Sequence, residues 1–216
     1  MTYGRNVLSV SSVALAVLTL VFAFSGCGEE KSSDSKTGDN AAASEPSDAE
    51  RRRVTELGQE ASEALMQSLG GQLKAAMQSG GPVQAISVCR QAALPLTAAA
   101  GESFDGVAVR RTTLKTRNPA NAPDATDREV LESMASAAAQ NAAPPDPVIE
   151  WQDDVARFYR PLMMQEICLK CHGDPASFSP ELTQALADSY PDDQATGYAL
   201  GELRGVIRVD VDIAKP

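Results

Sequence analysis

Five residues near the C-terminus carry the most specific chemistry in the chain: Cys168, Leu169, Lys170, Cys171 and His172. Thiols at this spacing add to the two vinyl groups of one haem, and the adjacent imidazole reaches the iron from one side. Covalent anchoring and axial ligation then come from a single short segment. The expectation is one covalent haem c, with Cys168 and Cys171 as thioether anchors and His172 as an iron ligand. His172 is the chain's single histidine, so bis-histidine ligation is excluded and no second imidazole is available as a catalytic base. Two other uses of these residues compete. A dithiol or disulfide redox pair needs the C-x-x-C to open a helix in a thioredoxin-like βαβ context, whereas residues 157–161 read as strand and proline. A zinc site of Cys89, Cys168, Cys171 and His172 has suitable donors, but adjacent Cys171 and His172 converge awkwardly on one tetrahedral ion.

A second axial ligand has to come from elsewhere. Methionine is the usual choice, yet none follows His172. Met163 and Met164 precede the motif too closely to wrap to the opposite haem face easily, and Met66 and Met77 fall on a helix face that should belong to the core. Cys89 is the thiol without an assigned partner. On residue type alone it is either a small buried hydrophobe sharing a helix face with Ile86 and Ala93, or an iron-bound thiolate. Arg110, Arg111 and Arg117 stand out in an acidic chain, because guanidinium groups pair naturally with haem propionates. Neighbours on a strand point opposite ways, so one of Arg110 and Arg111 should face solvent. Arg117 with Asn118, in a proline-bounded loop, is the preferred contact, with Arg110 a further candidate.

The elements that must position these groups can be read from periodicity. Val54, Leu57, Ala61, Leu65, Leu69, Leu73 and Met77 recur at helical spacing, and Gly80, Gly81 and Pro82 end that run. A second helix should begin at Pro82 and pass through Cys89, with a disturbance at Pro95. Residues 107–111 alternate as a strand does, residues 124–140 form a helix stopped by Pro144 and Pro145, and residues 148–152 and 157–162 are extended. A short helix near 180–190 and a last strand over 205–213 follow the motif. The class is α+β: N-terminal helices, then an antiparallel sheet, with the haem site in the C-terminal part.

Residues 1–26 combine Arg5 with an apolar run ending in Ser25, Gly26 and Cys27. This pattern is that of an export signal with a lipoprotein-type end, in which Cys27 is the acylated residue. Phe24 departs from the usual lipobox, and cleavage after Ser25 or an uncut spanning helix are the alternatives. All three place the remainder outside the cytoplasm, on the periplasmic side, with the lipid as its contact to a membrane. Residues 27–53 lack large apolar side chains after Cys27 and are expected to be a flexible tether, leaving 54–216 as the folded domain. With 29 acidic against 19 basic residues and a net charge of -10, nucleic acid is not an expected partner.

The run Ala85 to Cys89, then Arg110 to Thr112 and Arg117 to Asp124, then Cys168 to Asp174, and finally Tyr190 to Tyr198 with Gly201 to Ile207, resembles a family of single-haem c-type domains otherwise catalogued as a domain of unknown function. The resemblance covers the chain from about residue 54 onward. It implies a PAS-like fold and His/Cys ligation of the iron, with His172 proximal and Cys89 distal. The functions that follow are a membrane-anchored electron-transfer protein with an unidentified redox partner, or a haem-based redox or gas sensor acting through a partner protein. A zinc-stabilised binding module is the third. No carboxylate pair is placed for catalysis, so an enzymatic role is unsupported.

Overall fold

In a computed structural model, residues 45–140 and 144–215 are described. The leader, Cys27 and most of the expected tether lie outside them. Four helices and four strands follow in the order α1 (Asp48–Glu102), β1 (Val107–Thr112), α2 (Ala125–Gln140), β2 (Val148–Trp151), β3 (Val155–Met163), α3 (Glu166–His172), α4 (Pro180–Ser189) and β4 (Leu203–Asp212). The class is the expected α+β, with helices preceding a four-stranded antiparallel sheet of order β1-β4-β3-β2. That arrangement is consistent with a PAS-like one.

Helix α1 begins six residues before Val54, because Ser47 and Glu50 form a reciprocal capping box that satisfies the first free amides. The apolar periodicity marks where α1 becomes buried, not where it starts. The expected break at Gly80, Gly81 and Pro82 is present as a kink: Gly81 alone leaves helical geometry, at φ 67° and ψ −159°, a conformation open to glycine at little cost. Beyond it the second limb runs to Glu102, with Pro95 inside it.

One face of the sheet packs on α1. Val109, Ala156, Phe158, Ile207, Val209 and Val211 meet Val54, Ala61, Leu65 and Ala100, and each large side chain buried this way contributes about 1.5–3 kcal/mol. Gly58 permits the approach, since a Cβ there would lie 2.3 Å from the Phe158 ring. The other face packs on α2 through Tyr159, Val206, Val130, Leu131 and Met134. Met66 departs from its expected core role: it is 39% exposed, because the burial stripe of α1 passes through Leu65 instead. Helix α4 closes over the second limb of α1, with Leu182, Leu186 and Tyr190 against Ile86.

Candidate functional site

The C-x-x-C-H segment lies on α3, which starts three residues after the end of β3. The C-x-x-C is therefore helical, and the residues before it are the expected strand, Pro161 included. It follows an antiparallel strand, however, and not the βαβ context of a thioredoxin-like pair. Cys89, Cys168 and Cys171 are all free thiols.

Two separate clusters hold the two motif cysteines. Cys171 packs beside Ile86, Leu182, Leu186 and Tyr190, on the limb of α1 that carries Cys89 one turn further on. Cys168 packs beside Met164, Ala195 and Tyr198. Met164 is thereby committed to the core at 2% exposure. Cys89 and Cys171 are within electrostatic reach of one another: burial pushes the Cys171 thiol up to about 11, with Arg117 opposing and Cys89 and Cys168 adding to the rise. Burial likewise raises Cys89, opposed by Arg111, Arg117 and Arg204. Among the described residues no three His, Cys, Asp or Glu side chains are grouped to hold a metal ion, so Cys89, Cys168, Cys171 and His172 do not form a ready tetrahedral zinc site.

His172 is the most constrained side chain of the group. Its Nδ1 lies 2.6 Å from the Ala195 carbonyl oxygen. A carbonyl only accepts, so Nδ1 carries the proton and Nε2 keeps its lone pair. Burial, with Arg204 and Arg117 adding, lowers the pKa well below that of an ordinary histidine, and the ring is neutral at neutral pH. A neutral imidazole oriented through its second nitrogen is how a metal-binding histidine is held. The loop after α4 provides the hold: the Tyr198 amide donates to His172 O at 3.0 Å and the Gly197 amide to Gly173 O at 2.8 Å. Tyr198 also sets its ring edge-on to the imidazole, with centroids 6.4 Å apart.

The arginines sort differently from expectation. Arg110 lies on the strand face away from Cys89 and donates to Ala122 O at 3.3 Å. Its neighbour Arg111 is the one on the Cys89 side, where it donates to Thr97 Oγ1 at 3.1 Å. Arg117 is buried and its guanidinium is taken by Asp193, Cys171 O and Ala195 O. Asn118 caps the short turn at Pro119–Asn121 by accepting from the Ala120 amide. Arg204, which sequence reasoning missed, donates to Thr113 Oγ1 and Lys115 O and lies over the Tyr198 ring at 5.5 Å. Lys115 Nζ stands over the same ring at 4.2 Å. Among the described residues Arg111, Arg204 and Lys115 have no carboxylate within ion-pair distance. Partly buried cations left without anions invite an anionic group.

Two clefts border the site. One of about 850 Å³ runs between α1 and α3, lined by Met77, Val83, Ile167, Leu169, Phe178 and Leu182. The other, of about 580 Å³, has Lys115, Tyr198 and Arg204 in a wall shared with Leu131 and Ala135 of α2 and the segment 200–205. Neither includes Cys89 or His172 in its lining.

Among curated proteins none matches the chain. A solved structure, described as that of the cyanobacterial haem protein Tll0287, is similar in fold, with a TM-score of 0.53 and 22% identity over 77% of this chain and 97% of that one. The Tll0287-like family model matches residues 33–212, a span that takes in Cys89, the C-x-x-C-H segment and the loop holding His172, and on that match the chain belongs to the Tll0287-like family.

Proposed function

We propose that this protein carries one haem, covalently attached through Cys168 and Cys171, and serves one-electron redox chemistry outside the cytoplasm while tethered to a membrane through Cys27. The observation that carries the reading is the His172 imidazole, neutral and oriented by Ala195 O, directly after two free thiols at thioether spacing. The haem protein Tll0287, similar in fold, supports it.

The residues present fit such a group. His172 would hold the iron through Nε2, and Cys89 would be the second protein ligand; burial raises its thiol, Arg111, Arg117 and Arg204 oppose that rise, and iron would complete the shift to thiolate. Arg111 and Arg204 are the cations that an anionic substituent of the macrocycle would satisfy, in place of Arg110 and Arg117. When bound, the haem supplies one-electron transfer at its iron. The chain's own part is to hold the imidazole, exclude water around it through Met164 and Tyr198, and provide positive charge.

The test is purification from a host competent in c-type maturation, followed by denaturation and haem staining. Haem should stay on the polypeptide, and Cys168→Ala with Cys171→Ala should release it. Haem lost from the wild type to acid-acetone would sink the reading. In the same preparation Cys89→Ala should convert a low-spin ferric spectrum to that of an open or water-bound site and raise the potential, since a thiolate favours ferric iron. Carbon monoxide binding by the reduced wild type would favour the sensor form of this function over the carrier form.

A further inference from the structure

The Ala195 carbonyl receives two donors. His172 Nδ1 approaches it at 2.6 Å and Arg117 Nη2 at 3.3 Å. The same Nη2 donates to Cys171 O at 2.6 Å, so one guanidinium joins the backbone just before His172 to the carbonyl that orients its ring. Asp193 aims the guanidinium: its Oδ2 accepts from Arg117 Nε at 2.9 Å, while its Oδ1 accepts from the Ala195 amide at 2.8 Å. Arg117 is 8% exposed and Asp193 11%, so water competes little for these bonds. Three segments far apart in sequence thus close around the imidazole.

We infer that Arg117, aimed by Asp193, is a positioning residue that limits how strongly Ala195 O draws on the His172 Nδ1 proton, and thereby sets the electron donation of His172 to the iron. The inference rests on the haem reading given above. A carbonyl that accepts a charge-assisted bond from a guanidinium has less electron density left for a second donor. With Arg117 in place the imidazole keeps its Nδ1 proton firmly and is a moderate donor. Without Arg117 the carbonyl pulls harder, the imidazole gains anionic character, and the ferric state is favoured.

The experiment compares wild type, Arg117→Gln and Arg117→Lys as haem-loaded proteins by potentiometric titration, with the Nδ1 proton followed by NMR. Both variants should shift the reduction equilibrium towards ferric by about tenfold, 59 mV for one electron, and move the Nδ1 proton resonance. A lysine variant with the wild-type potential would show that charge alone matters and overturn the inference, as would no shift in either variant. Should Arg117→Gln not fold, Asp193→Asn supplies the second arm. Loss of a negative charge would by itself raise the potential, whereas loss of aim at Ala195 should lower it, and a rise would count against the inference. A haem-independent readout is amide exchange at Gly197 and Tyr198, which should quicken by about tenfold in the Arg117 variants as the loop loosens; unchanged exchange would overturn the brace. Wild-type protein lacking covalent haem would instead defeat the haem reading, with the exchange result unaffected.

Discussion

Two groups of charged side chains in this molecule are built on opposite plans. On the α2 side, Arg208 donates to Asp127, Asp124 and Asp210 at 2.7–3.1 Å, Arg157 donates to Asp124 at 2.9 Å, and the Tyr159 hydroxyl donates to the fully buried Asp127 at 3.0 Å. Burial opposes the charge on Arg208, but Asp210 and Asp127 outweigh it and raise its pKa. In the second group, Arg111 lies near Cys89, Lys115 and Arg204 stand over the Tyr198 ring, and among the described residues none of the three has a carboxylate within ion-pair distance. A network in which every guanidinium meets a carboxylate reads as structural. One whose cations are left over is shaped for something that arrives with negative charge.

The largest effect should come from breaking the closed network. Arg208→Met strands Asp127, which has 0% exposure, and should lower the unfolding free energy by about 3–5 kcal/mol in chemical denaturation. A loss below ~1 kcal/mol would mean that the network is not the closed unit described.

Tyr159→Phe comes next, at about 1–3 kcal/mol for a buried hydrogen bond to a charged group. Its pH dependence has a definite sign. Burial, with Asp127 adding and Arg157 opposing, raises the folded pKa of Tyr159 far above the ordinary value of 10.0. The stabilisation is complete below that ordinary value and is lost as the pH rises from there towards the folded pKa. Wild type should therefore lose stability above pH ~10 more steeply than Tyr159→Phe, and parallel alkaline profiles would refute the assignment.

The smallest effect should come from the open group. Arg111→Gln in protein lacking Cys168 and Cys171 leaves no anion unpaired and should change the unfolding free energy by less than about 0.5 kcal/mol. In haem-loaded protein the same substitution should cost about 1.5–3 kcal/mol more, the size of a charge-assisted hydrogen bond. Equal costs in both forms, read from thermal unfolding, would erase the contrast between the two groups.

Much of the architecture was legible because local periodicity carries it. The alternation over residues 107–111, the breaks at Gly81 and after Gln140, and the helical stripe through Val54, Ala61 and Leu65 all became elements close to where they were expected. The start of α1 was missed because a capping box, not an apolar residue, marks it. The helical state of residues 166–172 was missed because seven residues hold too few periods to show a stripe.

The chemistry proposed for Cys168, Cys171 and His172 was legible in the sequence alone, since a motif of adjacent residues needs no fold to bring its members together. What surrounds it was decided only by tertiary structure. Strand alternation dictates that Arg110 and Arg111 face opposite ways, but not which of them meets Cys89. Arg117 stands out as a basic residue, yet its partners Asp193 and Ala195 lie 76 and 78 residues away. Arg204 is an ordinary strand residue until β4 places it beside Tyr198. Pairings across such separations depend on how the sheet, the loop and α3 close on one another, and no local pattern of residues encodes that closure.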